Sequence, residues 1–355
     1  MTRVRLHPSG REVECQPGDT VLSALERAGY ALPNNCRAGA CGECKVRVRE
    51  GRFDQGMVLD MALSQEERLK GFGLMCMAKP LSDELVIEWG TDDAKPKLFP
   101  PRENQLYVVV DRIARTPRIV ELRLRPIGAP MRYWPGQYVM LGDPDAGIPP
   151  RCYSLANAPR PDGEIVLQIT RMEPGRTSAW AHDQLKPGSL VRVSGPYGTF
   201  IGDPSVETPV LCLAAGSGLA PILSLTEAAL RRGFRAKVTL LVSARTRADL
   251  YDEGMMAWWQ ARNRLFDYRA TLTREKPGPE SPNLLSGRIP EILPGLFPDL
   301  SQHSVFIAGS PGFVEDCVAA ARKLGARDER IHCERYVPQQ QPEVPPDSQL
   351  VGPAG

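Results

Sequence analysis

Cys36-Arg37-Ala38-Gly39-Ala40-Cys41-Gly42-Glu43-Cys44 is the stretch around which the rest of the chain is read. Three cysteines stand on one short loop with four and two residues between them, and a fourth, Cys76, follows after thirty-one more. A zinc site pairs two short Cys or Cys/His hooks, whereas here a single hook carries three cysteines and the fourth stands alone. The spacing is that of a 2Fe–2S cluster of the plant type, with Cys36, Cys41, Cys44 and Cys76 as its ligands. Gly39 and Gly42 permit φ > 0 and close approach, so that peptide N–H groups can point at the sulfurs. Such a cluster sits near roughly −400 mV and moves single electrons, so another part of the chain must supply them.

The residues on either side of this loop form a first unit, 1–92. Val4 and Leu6 alternate in one strand, Val13 and Cys15 in a second, and Ser9-Gly10 makes the turn between them. Thr20 offers an N-cap to a helix over Val21–Ala28 that stops at Gly29. A strand over Lys45–Arg49 follows the cysteine loop. Ser64 with Glu67 makes a capping box for a short helix, and Leu85–Trp89 alternates as a closing strand. Strands first, a helix across and a loop at one end is the β-grasp order. Residues 93–103, with Pro96, Pro100 and Pro101, read as a proline-stiffened linker that packs poorly.

Residues 104–204 show short strands punctuated by Gly and Pro, at Tyr107–Asp111, Ile119–Leu124, Tyr138–Leu141 and Glu164–Thr170, the pattern of a small antiparallel barrel. One helix, Ser178–Leu185, interrupts them. From 205 to 337 strands and helices alternate, which implies a parallel sheet that binds its ligand at the carboxyl ends of its strands. The tail 338–355 is rich in Pro and Gln and is expected to be disordered.

Composition narrows the function. The 355 residues carry a formal charge of +2 with both signs interspersed, which argues against nucleic acid as a partner. No apolar stretch approaches the ~20 residues of a membrane span, and Met1–Leu6 alternates like a strand, not like an export signal. The expectation is a cytoplasmic protein, monomeric when isolated, whose nine cysteines are reduced. Cys212 and Cys317 lie on apolar segments and read as small core residues.

Two sets of residues carry further chemistry. Arg151-Cys152-Tyr153-Ser154 opens a strand after Pro149-Pro150, and Gly175-Arg176-Thr177-Ser178 precedes the helix; together they look like a flavin site. Arg151 can neutralise a pyrophosphate, Tyr153 can lie against the ring or ribityl chain, and the Ser154 hydroxyl can reach a ring nitrogen. The helix start at Gly175–Ser178 offers unpaired N–H groups to phosphate, and Thr170-Arg171 would tune the flavin. In the last unit Gly216-Ser217-Gly218-Leu219-Ala220-Pro221 follows an apolar strand and opens a helix, and Gly309-Ser310-Pro311 repeats that geometry. Two phosphate-compatible loops on one parallel sheet favour a dinucleotide. Ser243 and Arg245 stand where a ribose or its 2′-phosphate would be read, while Asp249 would repel that phosphate.

Across nearly its whole length the chain resembles the single-chain iron–sulfur flavoprotein reductases of the ferredoxin–NADP reductase superfamily, which serve Rieske-type dioxygenases and related monooxygenases. The resemblance implies an N-terminal β-grasp 2Fe–2S ferredoxin domain, an antiparallel six-stranded flavin-binding β-barrel and a C-terminal Rossmann-like α/β nucleotide domain. It also implies that Arg151, Tyr153 and Ser154 contact FAD, that Gly175 and Ser178 hold its pyrophosphate, and that Gly216, Gly218 and Pro221 line the nicotinamide site. Glu334 and Tyr336 match the near-terminal acidic and aromatic positions that approach flavin and nicotinamide, which with Ser154 makes them the catalytic candidates. One departure stands out: the family's Cys-Gly-x-Pro element has Ala308 in the place of its cysteine.

The implied function is a relay from NADH, or NADPH, through FAD and the cluster to a terminal oxygenase or other redox partner. Two rivals share parts of this pattern: a reductase for deoxygenation of nucleotide-linked sugars, and a non-catalytic electron-transfer or regulatory subunit.

Overall fold

The computed structural model describes residues 1–203, 206–278 and 283–337. The expected boundary at 204/205 and the tail 338–355 lie outside the described residues.

The first unit is a five-stranded sheet in the order Glu12–Cys15, Thr2–His7, Glu84–Glu88, Lys45–Glu50, Phe72–Leu74. Thr2–His7 pairs parallel with Glu84–Glu88, so that Val4 lies beside Leu85 and Leu6 beside Ile87, and these four side chains are fully buried. The helix Val21–Arg27 crosses the sheet and buries Val21, Leu22, Ala24 and Leu25. Thr20 accepts the amide proton of Ser23 at its N-terminus, and the chain leaves through Gly29 at φ 79°. This is the β-grasp, and its loop end carries the cysteines.

The segment before the barrel is better packed than its prolines suggest. The amides of Lys97 and Leu98 donate to Gly29 O at 2.8 and 3.0 Å. Phe99 stacks on Trp134 at 5.5 Å, and the Trp134 indole donates to Lys97 O at 3.0 Å. Proline has no N–H to lose in such a stretch, and one aromatic residue supplies the contact that composition alone does not reveal.

The second sheet has six antiparallel strands in the order Ile148–Ser154, Tyr138–Asp143, Leu190–Tyr197, Arg102–Thr116, Ile119–Pro126, Ile165–Thr170. An isolated bridge between Leu155 and Leu167 joins its two edges and closes the barrel. Tyr107, Val109, Leu122, Leu124, Val139, Leu141, Ile165, Leu167 and Ile169 fill it, none of them exposed.

The strand ending in Ser154 differs from the sequence expectation. It runs through Pro149 and Pro150 instead of opening after them. It lies at one end of the hydrogen-bonded order, where a missing amide proton costs little, and a register shift between Leu141 and Asp143 admits the pair. The strand expected at Tyr107–Asp111 runs over Arg102–Thr116, and the helix expected at Ser178–Leu185 lies at Arg176–Asp183.

The third sheet is parallel throughout, in the order Leu284–Ser286, Phe266–Leu272, Val238–Ala244, Val210–Ala215, Ser304–Gly309, Ile331–Arg335. Its strands are buried on both faces. Cys212, Ala214, Leu240 and Phe306 face the helix Leu219–Arg231 and Trp259, while Leu211, Leu213, Leu241 and Ile307 face Ile289–Leu296 and Pro311–Lys323. Chain order reverses between Val210–Ala215 and Ser304–Gly309, so the crevice for a ligand opens at their carboxyl ends. Both glycine-rich loops leave the sheet there.

Candidate functional site

At the cysteine loop the backbone has turned its amides inward. Cys36 Sγ accepts from the N–H groups of Ala38, Ala40 and Cys41 at 3.4, 3.4 and 3.3 Å, and Cys44 Sγ accepts from Cys76 N at 3.4 Å. Arg37, Gly39 and Gly42 adopt φ of 54°, 67° and 78° to do so. A Cβ on Gly39 would stand 3.0 Å from Met57 O and Val58 Cγ1, so only glycine allows the loop to lie against the 57–62 segment.

Hydrogen bonds from Cys41 and then Cys76 pull the Cys36 thiol well below its usual pKa, and one from Cys76 lowers Cys44. The sulfurs thus run as neighbours, Cys41 by Cys36, Cys36 by Cys76, Cys76 by Cys44. Among the described residues no three His, Cys, Asp or Glu side chains converge as ligands of one ion. Two adjacent pairs of thiols with inward amide donors fit a cluster of two irons better than a single tetrahedral zinc.

The flavin candidates meet at the seam of barrel and parallel sheet. Ser154 Oγ donates to Glu334 Oε1 at 3.0 Å and lies 2.9 Å from Tyr336 Oη, and Tyr336 Oη donates to Ser217 O at 3.3 Å. Thr170 Oγ1 donates to Ser217 Oγ at 2.8 Å, so the Thr170 strand touches the first glycine loop directly, while the Ser154 strand reaches it through Tyr336. Burial pushes Glu334 up to about 8, its bond from Ser154 notwithstanding, so the acid is protonated at neutral pH. Its second oxygen, Oε2, is buried and has no hydrogen-bond partner among the described residues. A buried acid with an unanswered oxygen, beside a hydroxyl that can reach a ring nitrogen, fits a flavin edge.

Further along, Gly175 caps the helix Arg176–Asp183, and a Cβ there would stand 2.7 Å from Met172 O and Ser178 Oγ. Thr177 Oγ1 donates to Pro149 O at 2.5 Å and ties that helix to the strand of Arg151 and Tyr153.

At the carboxyl ends of the parallel sheet lies a cleft of about 860 Å³, large enough for a dinucleotide. Thr170, Gly216, Ser243, Arg245 and Ser310 line it. Gly218 holds its two loops together: a Cβ at that position would be 2.2 Å from Ala308 O. Ala308 itself is fully buried, so the departure from the family element sits at the hinge of both loops.

Comparison with known proteins resolves what these parts make. Family models match along the chain for a 2Fe-2S iron-sulfur cluster binding domain at 4–81, an oxidoreductase FAD-binding domain at 108–201 and an oxidoreductase NAD-binding domain at 212–319. The reductase subunit of an aromatic O-demethylase from Amycolatopsis sp. is 35% identical over 93% of this chain and 97% of its own length. The reductase component DmpP of phenol 2-monooxygenase from Pseudomonas sp. is 37% identical over 78% of each. The crystal structure of the Amycolatopsis cytochrome P450 reductase GcoB superposes with a TM-score of 0.85 at 32% identity, covering 95% of this chain and 99% of that one. The chain belongs to the iron–sulfur flavoprotein reductases.

Within this reductase not every residue named from sequence converges. Arg171 is held away from the seam by Asp183, at 2.7 and 2.9 Å. Arg245 lines the cleft but is paired with Asp249 at 3.2 Å. Arg151 donates to Pro150 O at 2.9 Å. Other residues of the reductase join the seam without any motif to announce them. Tyr251 Oη donates to Gly216 O and to Gln168 Oε1 at 3.0 and 3.2 Å, and Gln168 donates to Asp252 at 2.7 Å. Arg115 bridges Asp252 and Glu121, at 3.3 and 2.9 Å, and so locks barrel to sheet with buried carboxylates. Nothing in the sequence marks them; Asp252 stands out only in the fold, as a non-glycine residue at φ 58°.

Among the described residues no helix is long and apolar enough to cross a membrane.

Proposed function

We propose that the chain oxidises NADH and delivers the electrons one at a time, through FAD and its 2Fe–2S cluster, to the oxygenase component of a system that attacks aromatic or related compounds. When bound, the flavin accepts a hydride from the nicotinamide and releases electrons singly, and the cluster carries them onward. The observation that carries the reading is the junction of Ser154, Glu334 and Tyr336, which brings the barrel edge, the last parallel strand and the first glycine loop to one point.

Each residue has a definite task in this reading. Arg151 and the amides at the start of Arg176–Asp183, with Gly175, Thr177 and Ser178, hold the FAD pyrophosphate. Tyr153 lies along the ring system, and Thr170 aligns its strand against Ser217. Glu334 keeps a proton at Oε2, and the Ser154 hydroxyl orients that acid toward the ring. Tyr336 covers the site and excludes water until nicotinamide replaces it.

Gly216, Ser217, Gly218 and Pro221 on one loop and Gly309, Ser310 and Pro311 on the other take the dinucleotide phosphates. Ser243 and Arg245 face the adenosine ribose. Asp249 beside Arg245 offsets its charge and disfavours a 2′-phosphate, which supports NADH over NADPH. Cys36, Cys41, Cys44 and Cys76 hold the irons. Nine cysteines without a disulfide suit a reducing compartment, the cytoplasm.

Steady-state turnover with cytochrome c, a one-electron acceptor, tests the proposal: NADH should support reduction of cytochrome c at a kcat/KM well above that of NADPH. Cofactor-loaded protein indifferent to both nucleotides would refute it.

A further inference from the structure

Side chains alternate along the last parallel strand, so the residue between Glu334 and Tyr336 faces away from them. That residue is Arg335. Its guanidinium pairs with the carboxylate of Glu43, and its backbone oxygen accepts from Asn35 Nδ2. Asn35 precedes Cys36 and Glu43 lies between Cys41 and Cys44, so this single residue grips the cysteine loop at both ends. One residue further, the amide of Tyr336 donates to Gly309 O at 2.8 Å. Residues 334 to 336 are therefore shared by all three units.

We propose that Arg335 is a positioning residue for electron transfer, a strut that sets the cluster loop in register with the flavin edge. Each unit has its own core: Leu22, Leu25 and Leu63 lie in that of the first, Ile307, Val314 and Cys317 in that of the sheet beside Arg335. Neither depends on the Glu43 pair, so losing the pair changes how the units sit without unfolding either. A cavity of about 210 Å³, lined by Asn34, Asn35, Glu43, Tyr138, His332 and Glu334, separates loop and strand. The seam is thus held by polar struts and not by solid packing, and solid packing is what would fix it unaided.

Two other contacts hold the loop to the barrel. Tyr138 Oη donates to Asn34 Oδ1 at 2.7 Å, and Arg37, paired with Glu26 at 2.6 Å, lies 4.2 Å over the Tyr197 ring. Neither reaches the strand of Glu334, whereas the Arg335 strut links loop and acid directly. Small misplacements of reacting groups cost large factors in rate, which makes such a strut measurable.

The inference rests on the electron route proposed above, and the test separates the two. Flavin and cluster absorbance are followed separately after rapid mixing of the holoprotein with NADH, in wild type, Arg335→Gln, Arg335→Lys and the reversed pair Arg335→Glu with Glu43→Arg. Amide hydrogen exchange across 35–44 is measured on the same samples without NADH. Flavin reduction should stay within about twofold in all of them, while cluster reduction should slow about tenfold in Arg335→Gln and recover in Arg335→Lys. The reversed pair should regain most of the rate, and exchange at Ala38, Ala40 and Cys41 should rise only in Arg335→Gln.

Unchanged cluster reduction in Arg335→Gln, or equal slowing of both steps, would overturn the strut. If the reversed pair does not load its cluster, the contrast of Gln with Lys decides alone. A wild type whose flavin reacts with NADH but whose cluster never does would overturn the route itself, whatever Arg335 contributes.

Discussion

Nine consecutive residues, Cys36 to Cys44, carry three of the four proposed sulfur ligands, whereas Ser154 meets Glu334 and Tyr336 across 180 and 182 residues of chain. In the proposed relay each region holds a redox group, by opposite means. Metal–thiolate bonds fix which residue types stand at which spacing, so the cluster loop is written locally. The flavin edge is built from hydrogen bonds and burial, each worth a modest amount, and it is assembled by packing three units together. Ligation should therefore fail outright when altered, and the seam should fail by degrees.

Replacing one ligand is the harshest test of that contrast. Cys44→Ser should lose the iron and reduce cytochrome c only at background, while ferricyanide, which can take electrons from the flavin, should still be reduced. Iron content and the two acceptor assays check it, and loss of both activities would show that the loop also supports the flavin. At the seam, Ser154→Ala removes the donor to Glu334 and the neighbour of Tyr336; flavin reduction by NADH should fall about 100-fold with FAD still bound, as rapid-mixing kinetics would show.

The acid itself sharpens the comparison through pH. Glu334 folded near 8 and unfolded near 4.5 keeps a proton that the unfolded chain has lost between those values. Its stabilising contribution is thus complete below pH 4.5 and disappears as pH rises to about 8. Wild type should lose up to about 1.4 kcal/mol per pH unit across that window relative to Glu334→Gln, measured by chemical unfolding at a series of pH values. Parallel curves would remove Glu334 from the account.

Gly218→Ala, whose new methyl would stand 2.2 Å from Ala308 O, should part the two glycine loops. The expected result is a KM for NADH raised about tenfold and about 1–3 kcal/mol less stability, with the cluster spectrum intact. The smallest effect is expected at Asp249→Asn, which frees Arg245 and should raise kcat/KM for NADPH about threefold to tenfold with little change for NADH.

The same contrast explains what the sequence discloses. The cluster ligands, the β-grasp order and both glycine loops are legible because each is a local demand of chemistry or of backbone geometry. Ile331–Arg335 is not. Its residues Ile-His-Cys-Glu-Arg show no clean alternation, because an edge strand of the parallel sheet needs only one partner, yet it carries Glu334 and Arg335. The strand Leu190–Tyr197 contains Gly195-Pro196, a pair that reads as a turn, and Pro149-Pro150 hides the start of the strand that bears Arg151. Gln168, Tyr251 and Asp252 belong to no motif; their roles arise from the docking of barrel on sheet, which pairwise spacing does not encode.

An anaerobic titration with NADH puts the proposed relay to its hardest test. Purified holoprotein is assayed for iron and FAD, then followed by visible and low-temperature EPR spectroscopy as NADH is added. Two irons and one FAD per chain are expected, with bleaching of the flavin and an EPR signal from a reduced 2Fe–2S cluster once the flavin has been supplied with electrons. Zinc in place of iron at Cys36, Cys41, Cys44 and Cys76, or a flavin that bleaches while the cluster stays oxidised and EPR-silent, would contradict it.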